Sequence, residues 1–129
     1  MTSGAIRHIL TSDPAVSARV GGRVYSKQAP QGKRKPYIVY LLVSVTPSNT
    51  KEAPSKLDRQ RWQIDIYGDS DYGAQQLAAD VRAALDYRSG VIQGADIKHI
   101  RFLSHNGDFV EKSRTPRESM DFIIRVNNP

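Results

Sequence analysis

Three histidines, thirteen carboxylates and nineteen lysines and arginines are the side chains through which this 129-residue chain could do chemistry. It has no cysteine, which excludes a disulfide scaffold, a cysteine nucleophile and any thiolate metal site. His8, His99 and His105 do not pair with one another or with a carboxylate at the spacing of helical metal ligands. His99 and His105 could at most share a sheet face, and His99, close to Lys98 and Arg101, reads as strand surface. Gly21-Gly22 lacks the Gly-Lys-Ser/Thr continuation of a phosphate loop and follows a helical stretch rather than a strand. There is no Gly-x-Ser-x-Gly nucleophile elbow. Asp69 and Asp71 form a close acidic pair, but they stand where helix caps are needed. Asp65 and Asp121 lie mid-strand near several arginines. Both read as members of structural ion pairs, across the sheet or between subunits. The expectation is therefore no catalytic residue, no metal and no cofactor. A small enzyme would need a pocket of convergent polar groups, and nothing in the sequence predicts one.

The charge is the other candidate signal. The formal net charge is +6, and it is uneven. Residues 1–68 hold 11 Lys/Arg against 4 Asp/Glu, whereas residues 69–129 hold 8 against 9. The densest point is Lys33-Arg34-Lys35, to which the sequence assigns no role. Three readings follow: a phosphate-binding patch, a solvated basic loop, or a surface that docks on an acidic partner protein. Aromatic residues do not interleave with the basic ones as a single-strand stacking platform requires. The third reading therefore fits better than base reading.

The elements that must position these groups can be read from periodicity. At this length one domain, 1–129, is expected. The longest apolar run, Tyr37–Val45, is far short of a bilayer span, and the N-terminus lacks a secretion signal. A soluble intracellular protein with no membrane partner is expected. Ala5–Leu10 is a short amphipathic helix with Ser3 as N-cap. Asp13-Pro14 starts a second helix, which Gly21-Gly22 ends. Tyr37–Val45 is a strand apolar on both parities, so it is covered on both sides or lends one side to an oligomer. A polar loop, Thr46–Lys56, separates it from the strand Leu57–Tyr67, and the two form a long β-hairpin. Trp62, Ile64 and Ile66 alternate as the buried face of that second strand. The main helix, roughly Tyr72–Tyr87, carries Leu77, Val81 and Leu85 in its apolar stripe, with Asp69 or Ser70 as cap. Val91–Gln93 is a short strand or turn. Ile97–Leu103 is a strand whose alternation slips, implying a bulge. His105-Asn106-Gly107-Asp108 reads as a turn. Ser119–Val126 closes the sheet, with Phe122 and Ile124 facing the core. The fold class is α+β: an antiparallel sheet with a long hairpin, one main helix packed across it and short N-terminal helices.

Several stretches, in order, resemble one known family. They are Asp13-Pro-Ala-Val-Ser-Ala-Arg-Val-Gly-Gly-Arg-Val-Tyr25, Ala29-Pro30, Pro36-Tyr-Ile-Val-Tyr40, Arg61-Trp-Gln-Ile-Asp-Ile-Tyr-Gly68, the helix Ala74–Asp86 and Ser119-Met-Asp-Phe-Ile-Ile-Arg125. They are similar to the small tail-completion proteins of long-tailed phages and prophages. The resemblance implies a structural role as a tail terminator. Such a subunit assembles into a ring, typically hexameric, that caps the finished tail tube, stops its polymerisation and meets the head connector. It implies self, tail-tube protein and connector or neck protein as partners, DNA only in passage through the lumen, and a place at the tail–neck junction of a virion assembled in bacterial cytoplasm. A head-side neck adaptor or stopper is the neighbouring alternative, and a basic nucleic-acid-binding module the more distant one. For a ring, the hairpin around Lys51, Lys56, Arg59 and Arg61, with Tyr40 and Leu42, is expected to supply one interface patch and the acidic helix region the other.

Overall fold

A computed structural model describes residues 2–47, 57–112 and 114–127. Helices α1 (Thr2–Ser12) and α2 (Pro14–Val20) come first, followed by strands β1 (Val24–Ser26), β2 (Tyr37–Pro47) and β3 (Leu57–Tyr67). Helix α3 (Asp71–Leu85) follows, then β4 (Gly90–Ile92), β5 (Ala95–Val110) and β6 (Thr115–Asn127). The strands form one six-stranded sheet in the order β1-β2-β3-β6-β5-β4. The fold is α+β and mostly antiparallel; only β1 runs parallel to its neighbour β2.

Local chemistry sets the helix ends. Asp13 accepts the Val16 N–H at 3.1 Å and Pro14 occupies the first turn, so α2 starts where its cap allows. Ser70 caps α3 by accepting the Gly73 N–H at 3.0 Å. Ser3 does not cap α1: the helix begins at Thr2, so Ser3 lies inside it.

One face of the sheet is roofed by all three helices. Ala74, Leu77, Ala78, Val81, Ala84 and Leu85 of α3 sit over Trp62, Ile64 and Ile66 of β3 and Met120, Phe122 and Ile124 of β6. Ile6, Ile9 and Leu10 of α1 extend the same core. The Trp62 indole donates to Gln60 at 2.8 Å, so its polar edge is satisfied.

Bulges resolve two ambiguities of the sequence. In β2 the register slips between Leu42 and Ser44. Tyr40 and Leu42 face the helices with Ile64 and Trp62, and past the slip that phase passes to Val45. The doubly apolar pattern is thus a phase switch along one strand. Its first half is buried and its second half, from Leu42 onward, is exposed. In β5 slips at Ile97/His99 and Phe102/Ser104 keep Ile97, Ile100 and Phe102 on the helix side.

The expected turn at His105–Asp108 is not formed. β5 continues through Asn106-Gly107, pairing with Ser119 and Glu118, and the chain reverses only after Val110. Gly107 serves the ladder instead: a Cβ there would lie 2.5 Å from a Glu118 carboxylate oxygen. That carboxylate is in turn held by His105 Nε2 at 3.0 Å. The last strand accordingly starts at Thr115, four residues before the sequence suggests.

Gly68 shows how closely α3 meets the sheet. A Cβ at Gly68 would stand 2.7 Å from the Ala74 Cβ and 3.0 Å from its Cα. The Gly68 N–H also donates to the Pro116 carbonyl at 3.0 Å, pinning the turn between β3 and α3. Gly68→Ala is expected to cost about 1–3 kcal/mol through overpacking. Urea unfolding midpoints of variant and wild type measure it.

Candidate functional site

The face of the sheet away from the helices carries most of the polar and charged side chains of β3, β5 and β6 that the register aligns. Its rows follow from the register. Arg59, Arg125 and His99 share one row and Arg61, Ile123 and Arg101 the next. Below them come Gln63, Asp121 and Ser104, then Asp65, Ser119 and Asn106, then Tyr67, Arg117 and Asp108. Ile123 is buried at 6% exposure although no helix covers it. It lies between Arg61 and Arg101, whose long stems are suited to cover apolar surface while their heads stay in water.

The carboxylates on this face are engaged. Arg61 donates through Nε to Asp121 at 2.9 Å, the cross-sheet ion pair that mid-strand Asp121 suggested. Asp65 behaves differently. Its carboxylate, 5% exposed, accepts from Gln63 Nε2 at 3.0 and 3.1 Å and from Ser119 Oγ at 2.6 Å. Neutral donors satisfy it in place of the expected arginine. Arg117 donates to Asp108 at 2.9 Å and stands 6.0 Å above the Tyr67 ring. The hydrogen bond from Arg117 holds the Asp108 carboxyl below its ordinary range, and the same bond raises the Arg117 guanidinium. Tyr37 stacks on Tyr67 at 4.8 Å, and burial there pushes the Tyr37 hydroxyl up.

Cations gather at the other end. Arg59, Arg61, Arg101 and Arg125 occupy two adjacent rows, with His99 paired to Arg125 across the ladder and two residues before Arg101 on β5. Burial, then Arg101, then Arg125, hold the His99 imidazole below its ordinary pKa. Among the described residues its Nδ1 is a buried polar atom without a hydrogen-bond partner.

Other basic residues counted in the sequence excess are internal ties. Arg19 links α2 to α3 through Asp80 at 2.7 Å and Gln76 at 3.0 Å. Lys35 donates to Thr115 at 2.7 Å, while Lys33 and Arg34 are exposed. Lys51 and Lys56 lie outside the described residues. Arg59 and Arg61 do not sit on a free arm, because β3 is paired on both sides by β2 and β6. Tyr40 is 4% exposed and packs on Trp62 at 6.2 Å between ring centres, so it belongs to the subunit core and offers no surface to a neighbour. Leu42 is 43% exposed, next to Val43 and Val45 on the outer stretch of β2.

No group of three or more metal-ligating side chains is found among the described residues. An open groove of about 430 Å³ lies between α3 and β5, lined by Ala78, Ala79, Arg82, Asp86, Tyr87 and His105 among others. Its polar groups are already used. Arg82 stacks 3.8 Å above Phe102, Asp86 accepts the Phe102 N–H at 3.0 Å, and His105 holds Glu118. This is structural wiring around a hydrophobic groove, not an acid–base pair facing an empty site.

The sequence matches a family model described as tail completion protein gp17, over residues 4–127. The chain belongs to that family. It is a structural tail protein. Among solved structures the chain resembles one from the virion of a native gene transfer agent particle. Identity is 24% and TM-score 0.79, over 96% of this chain and 92% of that one. A second solved chain, 16% identical at TM-score 0.58, is matched over 100% of this protein and 98% of its own length. At these identities the likeness is one of fold. No curated protein matches the sequence.

The His99 environment fixes a pH dependence. Its folded pKa is depressed, so its contribution is present above the ordinary imidazole value near 6.5 and is lost as pH falls through the lower folded value. The tail protein should lose stability on acidification from pH 8 to pH 5.5. His99→Gln should lose less, measured as the shift in urea midpoint for each.

Proposed function

We propose that this tail completion protein caps the finished tail tube as a ring, ends its polymerisation and joins the tail to the head connector. The carrying observation is family membership across almost the whole described chain. The fold it shares with a chain of a gene transfer agent virion supports a place in a particle of that kind. The ring is a hexamer in this reading, and its seat is the tail–neck junction. It meets the tube protein on one side and the connector on the other, with DNA only passing through.

A closed ring needs two different, complementary patches on each subunit. Two features supply surplus surface. The rows of Arg59, Arg61, Arg101 and Arg125 give a cationic patch on the sheet. The exposed Asp69 and Asp71 at the start of α3 give an acidic one. Such charges set orientation and encounter more than they set affinity. Leu42 and Val45, on the helix side of the outer stretch of β2, supply exposed apolar area.

Reversing charge at Arg59→Glu together with Arg61→Glu should weaken assembly at least about tenfold, the effect of roughly 1.4 kcal/mol per contact. Light scattering across a concentration series reads it, and unchanged oligomer mass would remove these arginines from the interface.

A further inference from the structure

Among the described residues the sheet is left unpaired over part of each edge, and the two stretches are different. At one edge β1 covers β2 only from Ile38 to Tyr40, with Lys27 adding a bond to the Tyr40 carbonyl. Among the described residues nothing pairs with the outer side of Leu41–Pro47. At the other edge β4 covers Ala95–Ile97, and the chain at Tyr87 and Arg88 bonds to Ile100. The Asp86 carboxylate then takes the Phe102 N–H. Beyond that, among the described residues, nothing pairs with the outer side of Leu103–Val110. Each stretch is a row of backbone donors and acceptors beside exposed apolar side chains. They are Leu42, Val43 and Val45 on β2, 43–48% exposed, and Leu103 and Phe109 on β5, at 44% and 53%. Long apolar edges of this kind invite a further strand, and natural sheets protect them with lysines, prolines or covering segments. Val43 and Phe109 sit where such a lysine would stand.

We infer that the outer stretch of β2 in one subunit pairs with the outer stretch of β5 in the next, so that strand addition closes the ring. This rests on the ring proposed above. The occupant of each edge is a second copy of this chain, because the two edges fit each other. β2 and β5 point in opposite directions within the sheet, so continuing it from one copy to the next gives an antiparallel pair. The two stretches are of similar length and are distinct, which makes the contact heterologous and ring-forming.

The offset of the stretches is compatible with closure. The row through Gly107 reaches β2 at Ile38, roughly six residues below Ser44. At about 3.3 Å per residue this is a stagger of roughly 20 Å across the four strands from β2 to β5, roughly 19 Å wide. Strands would then tilt about 45° from the ring axis, at the upper end of the range of closed sheets.

The test uses the full chain with one lysine placed on each edge, Val43→Lys and Phe109→Lys. Both side chains are about half exposed, so melting curves close to wild type are expected. Wild type should give the ring mass in light scattering, and each variant alone should be monomeric. A one-to-one mixture should give dimers and nothing larger, because one intact edge of each kind remains. Rings formed by either variant alone would overturn the edge pairing while leaving the ring in place, and would assign those edges to another strand-bearing partner. A mixture that stays monomeric would overturn it too. Wild type that stays monomeric at every concentration would count against the ring itself. Should a lysine variant melt early, the native absence of cysteine allows a second measurement. Ser44→Cys combined with Asn106→Cys should give ladders of disulfide-linked oligomers on mild oxidation, and neither single variant should; the absence of ladders from an oxidised wild-type-like ring would reject the pairing.

Discussion

The insertion of β6 between β3 and β5 is the constraint on which the rest of the molecule depends. β6 is the last strand in the chain, yet it is paired along most of its length on both sides. Until it arrives, the β2–β3 hairpin and the β4–β5 segment are separate ribbons, and two-stranded ribbons are marginal in water. With β6 in place, Met120, Phe122 and Ile124 complete the floor on which the apolar stripe of α3 rests. The same insertion brings Arg61 to Asp121 and Ser119 to Asp65, and stacks the arginine rows on the open face. Core and surface are therefore set by one pairing event between residues far apart in sequence, which is expected to make folding slow relative to a helical protein of this size.

That pairing also explains the division of labour between the two faces. The helix-covered face is apolar and closely packed, as Gly68 against Ala74 illustrates. The open face is a polar mesh in which carboxylates are held by arginine, glutamine and serine rather than left facing a cavity. A tail part has to be rigid and to present surface to its neighbours. It has no need of a water-excluding pocket with tuned acids and bases. The engaged carboxylates and the edges that stay unpaired among the described residues fit that requirement.

Much of this was legible in the sequence where the information is local. The alternation of Trp62, Ile64 and Ile66, the stripe of Leu77, Val81 and Leu85, and the Asp13 and Ser70 caps depend on neighbours within a few residues. What was not legible depends on distant partners. Asn106-Gly107 has the chemistry of a hairpin turn, but the ladder pairs them with Ser119 and Glu118 of distant β6 and the strand runs on to Val110. Tyr40 lies in a run apolar on both parities, so only the bulge after Leu42 shows which residues are core and which are surface. Asp65 near several arginines suggested an ion pair, while the register supplied Ser119 and Gln63. The arginine face itself is invisible in sequence, since Arg59, Arg101 and Arg125 become neighbours only through β6.

Electron microscopy of assembling tails measures the central claim, that this protein ends tail growth, most directly. Tails assembled with the protein should be uniform in length and carry one ring at the head-proximal end. Tails assembled without it should overgrow to broadly distributed lengths and fail to join heads. Uniform tails of normal length in its absence, or its density located elsewhere on the particle, would contradict the account.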